Sequence, residues 1–232
     1  MRLLGLQGGG LRQILSIGSQ TVAIDQFEMA GCPYPPDSDA ASLWFQHLAL
    51  VVVDIAEAHA RLRDIAPISI DGPQQLPASS GGVLAFKFRD QDGHPFEFVQ
   101  FSRANMPATW KGRSPAPGQI ALGVDHSAIS VHDAEAGVAF YADLGLKQGK
   151  RTFNAGPAQQ RLDDLKNVEV SVVPMIPETA APHVELLAYQ APQGDRIPPW
   201  RANDVAATRI LWRGDKADLL SNPDGHLQQI EP

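Results

Sequence analysis

The sequence predicts an α+β protein built from repeated strand-helix-strands units, and three observations carry that expectation. First, "HLALVVVD" from His47 and "HSAISVHD" from His126 each run from a histidine through alternating residues to an aspartate seven positions on, Asp54 and Asp133; such an internal repeat fixes the architecture before any motif does. Second, each aspartate precedes a helical pattern, "IAEAHARLRDI" and "AEAGVAFYADLGL". Asp54 and Asp133 suit N-caps, and Gly145 suits the end of the second helix. Third, the closing strands share a register: Glu97 lies four residues before Phe101 in "EFVQF", and Glu185 four before Tyr189 in "ELLAY".

Taken in chain order, "LRQILSIGSQTVAIDQF" reads as two strands with no room for a helix before them. "FQHLALVVVD" is a strand by its alternation and β-branched residues; on a two-residue period His47 shares a face with Ala49, Val51 and Val53. "VLAFKFRDQDGHPFEFVQF" reads as two strands joined by a tight Asp92-Gly93 turn. "VEVSVVPM" and "HVELLAY" close the second copy. Two partial copies flank the pair. "VAIDQF" ends in Gln-Phe as "EFVQF" does, which sets Ala23 at the glutamate position, and "NPDGHLQQIEP" repeats the "DGHPFEF" turn and sets Gln229 there. In "ATRILWRGD", Thr208 stands where the central copies have histidine. The chain therefore divides into a partial unit 1–28, complete units 45–101 and 119–190, and a partial unit 203–232. The linkers "AGCPYPPDSDAAS", "SRANMPATWKGRSPAPG" and "APQGDRIPPWRA" have the Pro, Gly and Ser content of connecting segments.

Composition narrows the function. With 232 residues, 44% hydrophobic and 19% charged, the chain can bury one large or two modest cores. A net charge of −7, with no run of Lys or Arg, argues against a nucleic-acid footprint and for a small-molecule partner. A single cysteine, Cys32, excludes an intrachain disulfide framework and a thiolate-rich zinc site; a cytoplasmic, bacterial-type setting is expected. The opening "MRLLGLQGGG" is too short for a signal h-region or a membrane span, so no membrane partner is expected. "QGGGLR" and "SSGG" lack the Lys-Ser/Thr helix start of a phosphate loop, and no G-x-S-x-G is present.

The pattern of "DHSAISVHDAEAGVAFYADLGL" followed by "PHVELLAY", and of "FQHLALVVVD" followed by "FRDQDGHPFEF", resembles the vicinal oxygen chelate superfamily of glyoxalases, extradiol dioxygenases, epimerases and bleomycin-resistance proteins. The resemblance covers nearly the whole chain as βαβββ modules, the outer ones truncated. It implies two cupped, barrel-like mixed sheets, each from two paired modules, with metal ligands on first and last strands. Those positions fall on His47, Glu97, His126 and Glu185. Imidazole and carboxylate together suit a divalent ion such as Zn, Ni, Mn, Co or Fe(II), which would act as a Lewis acid on vicinal oxygens.

Two pairings are open. If unit two pairs with three and one with four, one pocket collects both histidines and both glutamates, while the outer pair holds only Ala23, Thr208 and Gln229. If neighbours pair instead, each half has one His and one Glu and makes a poor metal site. The loss of special residues from both outer units favours the first arrangement. Two repeated inward glutamates also want a metal, a cation or a proton, because buried unpaired carboxylates are costly. His183, two residues before Glu185, is a candidate for the pocket wall, and Arg151, Asn154, Gln159 and Arg161 are candidates to contact an anionic substrate. His94 and His226 read as turn residues, His59 and His132 as solvent-facing.

The resemblance implies a glyoxalase-type lyase or isomerase in which Glu97 or Glu185 abstracts a proton beside a carbonyl. Extradiol ring cleavage with Fe(II) and metal-free sequestration in an aromatic-lined cup are the alternatives on the same scaffold. A homodimer, with a second chain completing the short first unit, is an assembly the sequence allows.

Overall fold

The structure is a computed structural model, and it describes residues 2–195 and 201–232. Residues 196–200 of the third linker, and Met1 of the first unit, lie outside the described residues. Strands β1 (Gly10–Ile17) and β2 (Gln20–Phe27) form a hairpin. The first complete unit runs β3 (Gln46–Val52), α1 (Ile55–Arg61), the short β4 (Ala66–Pro67) and β5 (Gln74–Gln75), then β6 (Leu84–Arg89) and β7 (Pro95–Gln100). The second runs β8 (Ala121–Ser130), α2 (Ala134–Asp143), β9 (Lys147–Gln148), β10 (Thr152–Ala155), α3 (Pro157–Asp163), β11 (Glu169–Ile176) and β12 (His183–Ala191). The chain closes with β13 (Arg209–Arg213), β14 (Asp218–Ser221) and β15 (Leu227–Glu231).

Both helices after the aspartates form where the sequence places them. Asp54 accepts from the Glu57 amide, and Asp133 from the Glu135 and Ala136 amides, so each side chain satisfies amide groups that the first helical turn leaves without partners. After α2, Gly145 takes φ +90°, a conformation that favours glycine.

A ten-stranded mixed sheet holds β3 to β12, in the order β10-β11-β12-β8-β3-β7-β6-β4 with β5 and β9 as short side pairings. At its centre β3 and β8 pair antiparallel, with His47 opposite Ala128 and Ala49 opposite His126. Parallel partners flank them: β7 beside β3 and β12 beside β8. Units two and three therefore share one cup. Alternation along its strands sends Ile129, Val173, Val184 and Leu186 to the convex side against α2, while Val52, Phe86 and Phe98 pack with Ile55 and Ala58 of α1. At ordinary burial energies, a few such side chains at ~1.5–3 kcal/mol each fix both helices on the outside.

The outer units do not build a second cup. The β1-β2 hairpin stands as its own sheet, and β13-β15-β14 forms another. Charge joins them: Arg12 bridges Asp25 and Glu231, and Arg209 reaches Asp25. Each outer unit lacks the helix and strands that would continue a large sheet. The turn before β7 also differs from expectation. It spans residues 90–94 rather than a two-residue Asp92-Gly93 turn, because the Asp90 carboxylate accepts from the Asp92 and His94 amides and Gly93 takes φ +93°.

Candidate metal centre

Because β3 and β8 are antiparallel neighbours, and β7 and β12 flank them in parallel, the concave face collects one side chain from each of four strands. His47 comes from β3, Glu97 from β7, His126 from β8 and Glu185 from β12. His47 Nε2 lies 3.2 Å from Glu97 Oε2. His126 Nε2 lies 3.5 Å from Glu97 Oε2 and 3.5 Å from Glu185 Oε2. The two imidazole centroids are 5.6 Å apart, and ligand atoms of His47, Glu97 and His126 lie within 4.8 Å of one another. Both histidines and Glu97 are buried.

The nitrogens facing this point have no hydrogen-bond partner: neither ring nitrogen of His47 is satisfied, nor is His126 Nε2. The 3.2 Å contact of His47 with Glu97 is close but not aligned as a hydrogen bond. Buried polar atoms are normally paired, so unsatisfied nitrogens beside two carboxylates fit a shared cation. A set of two imidazoles and two carboxylates suits a divalent transition metal.

Asp125, which alternation assigns to the opposite face, holds His126 in place. Ala49 pairs with His126 and Leu50 with Val124, so the ladder skips Asp125. That bulge turns the carboxylate back toward its neighbour, a known use of bulges beside sites. His126 Nδ1 lies 3.1 Å from Asp125 Oδ2, and Trp110 Nε1 donates to Oδ1 at 2.7 Å. With Nδ1–H donating to the carboxylate, the Nε2 lone pair is aimed into the cluster, the support that metal-bound histidines generally have.

The ionisation pattern follows. Burial pushes the Glu97 carboxyl up, but the contacts of His126 and His47 and the charge of Lys87 win and hold it well below its usual range. Burial likewise opposes ionisation of Glu185, and His126 and His183 outweigh it. Burial disfavours the cation at His126, yet Glu185, Asp125 and Glu97 raise its pKa well above the usual imidazole value. For His47 burial prevails and the pKa falls. With no ion bound, the two ionised glutamates therefore face positive charge on His126 and on Lys87, and a divalent ion would take the place of the His126 Nε2 proton.

The cluster opens into a cavity of about 200 Å³, roughly six or seven liquid-water volumes, with Leu76, Val83, Val99 and Leu162 among its apolar wall residues. No family profile matches the sequence, and no curated protein matches it. Solved structures do. Glyoxalase I from Zea mays superposes with a TM-score of 0.50 at 15% identity, covering 90% of this chain and 73% of that one, and a variant of that enzyme gives 0.51 at 15% identity over 90% and 74%. The chain has the fold of glyoxalase I. Methylmalonyl-CoA epimerase from Mycobacterium tuberculosis matches at a TM-score of 0.41 and 17% identity, over 66% of this chain and 93% of its own.

Within this glyoxalase fold the other expected site residues divide. His183 borders the cluster, its Nε2 3.3 Å from Glu185 Oε1. Asn154 and Gln159 are buried in the cavity wall, where Asn154 Nδ2 donates to Gln159 Oε1 at 3.2 Å. Arg151 lies outside the cavity: it is exposed and paired with Glu135 on α2. Arg161 likewise turns away and donates to Gln74. His226, expected as a turn residue, is buried with its Nε2 3.0 Å from the Ser130 carbonyl, and His59 packs edge-on to Phe86 with centroids 4.5 Å apart. Sequence reasoning missed Asp125, hidden by the bulge, and Lys87, buried opposite Glu97. A lysine between Phe86 and Phe88, on the glutamate's face, was the available signal. No helix among the described residues is long and apolar enough to cross a membrane.

Proposed function

We propose that the chain is a metal-dependent enzyme of glyoxalase type, a lyase or isomerase acting on a small molecule with vicinal oxygens. The carrying observation is the convergence of His47, Glu97, His126 and Glu185 around unsatisfied nitrogens, with His126 braced by Asp125. These four residues would hold the ion, which would supply Lewis-acid polarisation of the substrate's adjacent oxygens. Glu97 Oε2 is shared between both imidazoles and serves as a fixed ligand. Glu185 is more open, at 21% side-chain exposure against 8% for Glu97. Glu185 therefore takes the proton beside the carbonyl at its carboxylate. His183, against Glu185 Oε1, orients that carboxylate, which gives the proton back to the neighbouring carbon of the same substrate. The apolar wall keeps bulk water from the reacting carbon.

A second reading has its own support: His47, Glu97 and His126 alone form a two-histidine, one-carboxylate group, the set used by non-haem Fe(II) oxygenases. Oxygen consumption with a catechol distinguishes it from isomerisation. The metal-free binding alternative expects an aromatic cup, whereas the only Phe, Tyr or Trp side chains in the wall, among the described residues, are Phe101 and Tyr189. The experiment is elemental analysis of protein purified without added metal, beside His47→Ala and Glu185→Ala. About one equivalent in the parent, lost from both variants, supports the proposal; retention in both ends it.

A further inference from the structure

A buried cation stands in the same cavity, and the metal-ligand set does not account for it. Lys87 on β6 is 3% exposed and sits directly opposite Glu97 of β7, so its side chain rises from the concave face into the cavity wall. Burying an ammonium is expensive, and buried ion pairs are poor stabilisers compared with apolar packing. Its counter-ion is Asp163 at the end of α3, itself 1% exposed, with Oδ1 2.6 Å from Lys87 Nζ. The other carboxylate oxygen accepts from Gln159 Nε2 at 2.7 Å and from the Tyr189 hydroxyl at 3.0 Å. Asp163 is thus satisfied by three donors. Lys87 is not: an ammonium carries three N–H groups, and among the described residues Asp163 is its one hydrogen-bond acceptor.

We propose that Lys87, braced by Asp163, Gln159 and Tyr189, is the anion-binding group of this pocket, so that the substrate is a small carboxylate whose neighbouring oxygens face the His/Glu cluster. This deepens the proposed function and rests on it. Burial lowers the pKa of Lys87, but Asp163, Glu97 and Glu185 together raise it above its ordinary value. Paired with the Asp163 carboxylate at 2.6 Å, the group is a cation and donor rather than an amine nucleophile. Arg151, the cation expected for this task, is paired at the surface with Glu135. A cavity of about 200 Å³ suits a ligand of only a few heavy atoms.

The test compares pyruvate with butane-2,3-dione, which share shape and vicinal oxygens and differ in charge. Calorimetric titration is run on the metal-free and the Co²⁺-loaded protein. Pyruvate is expected to bind about ten- to a hundredfold more tightly, the range for one charge-assisted hydrogen bond, and Lys87→Met should abolish the preference while metal content is kept. Because that variant strands Asp163, the Lys87→Met/Asp163→Asn pair is titrated too, with circular dichroism to confirm folding. The same loss is expected. Equal binding of the two ligands by the parent, or a preference surviving in a folded variant, overturns the proposal, and the parent comparison stands whether or not the variants fold. Absence of metal uptake by the parent counts against the proposed function instead, and the metal-free titration of the parent against Lys87→Met still reads Lys87.

Discussion

Replacing Asp125 with asparagine tests the bulge, because the skipped pairing aims that carboxylate at the His126 ring. In the parent, one carboxylate serves two donors, the His126 ring at 3.1 Å and the Trp110 indole at 2.7 Å. An asparagine has one acceptor oxygen and turns an NH₂ toward the remaining donor. With the indole kept paired, the NH₂ faces Nδ1 and favours the tautomer protonated on Nε2, the nitrogen that must be free for a cation. Loss of such support at metal-bound histidines typically costs ten- to a hundredfold in affinity, or about 1.4–2.7 kcal/mol. The assay is competition for Co²⁺ or Zn²⁺ against a chromophoric chelator, with His126→Ala as the reference for full loss. Trp110 fluorescence reports whether the local packing survives. A folded Asp125→Asn protein that binds within twofold of the parent would refute the assigned role.

Two further outcomes concern stability. Burial holds the His226 pKa at about 4 against an ordinary 6.5, so its contribution is complete above pH 6.5 and is lost as pH falls toward 4. The depression corresponds to about 3 kcal/mol; urea melts at pH 7 and pH 5 should show a drop that His226→Gln lessens, and an equal drop in that variant would exclude His226 as a source. Asp133→Ala, which deletes the cap of α2, should cost about 1 kcal/mol, or roughly 2–4 °C in melting temperature for a chain of this size. Metal affinity should not move, since α2 packs on the convex side.

The legible part of the site was the part written in repeat spacing. His47 and His126 occupy one register position, Glu97 and Glu185 another, and strand alternation then puts all four on one face. The caps at Asp54 and Asp133 were equally plain, since local chemistry decides them. Tertiary departures from period were not. Asp125 reads as a convex-face residue until the skipped pairing against Leu50 is seen. No element is expected from the sequence over Gly156-Pro157 through Asp163, although Pro at a first helical position is a helix signal; α3 was missed, and with it the buried partner of Lys87. The second cup failed for another reason. Nothing in the spacing of Ala23, Thr208 and Gln229 says whether short units will hydrogen-bond into one sheet or settle as two small ones.

The seam between β3 and β8 has a consequence for folding fidelity. A shift of one residue along that boundary would rotate His47 to the helix-covered side and pull the imidazoles apart. Any cation captured between the halves would then stabilise only the aligned isomer, by mass action. Occupancy would act as a proofreader of strand alignment as well as a reagent, and a chain matured in its presence would hold fewer slipped molecules than one refolded with chelator.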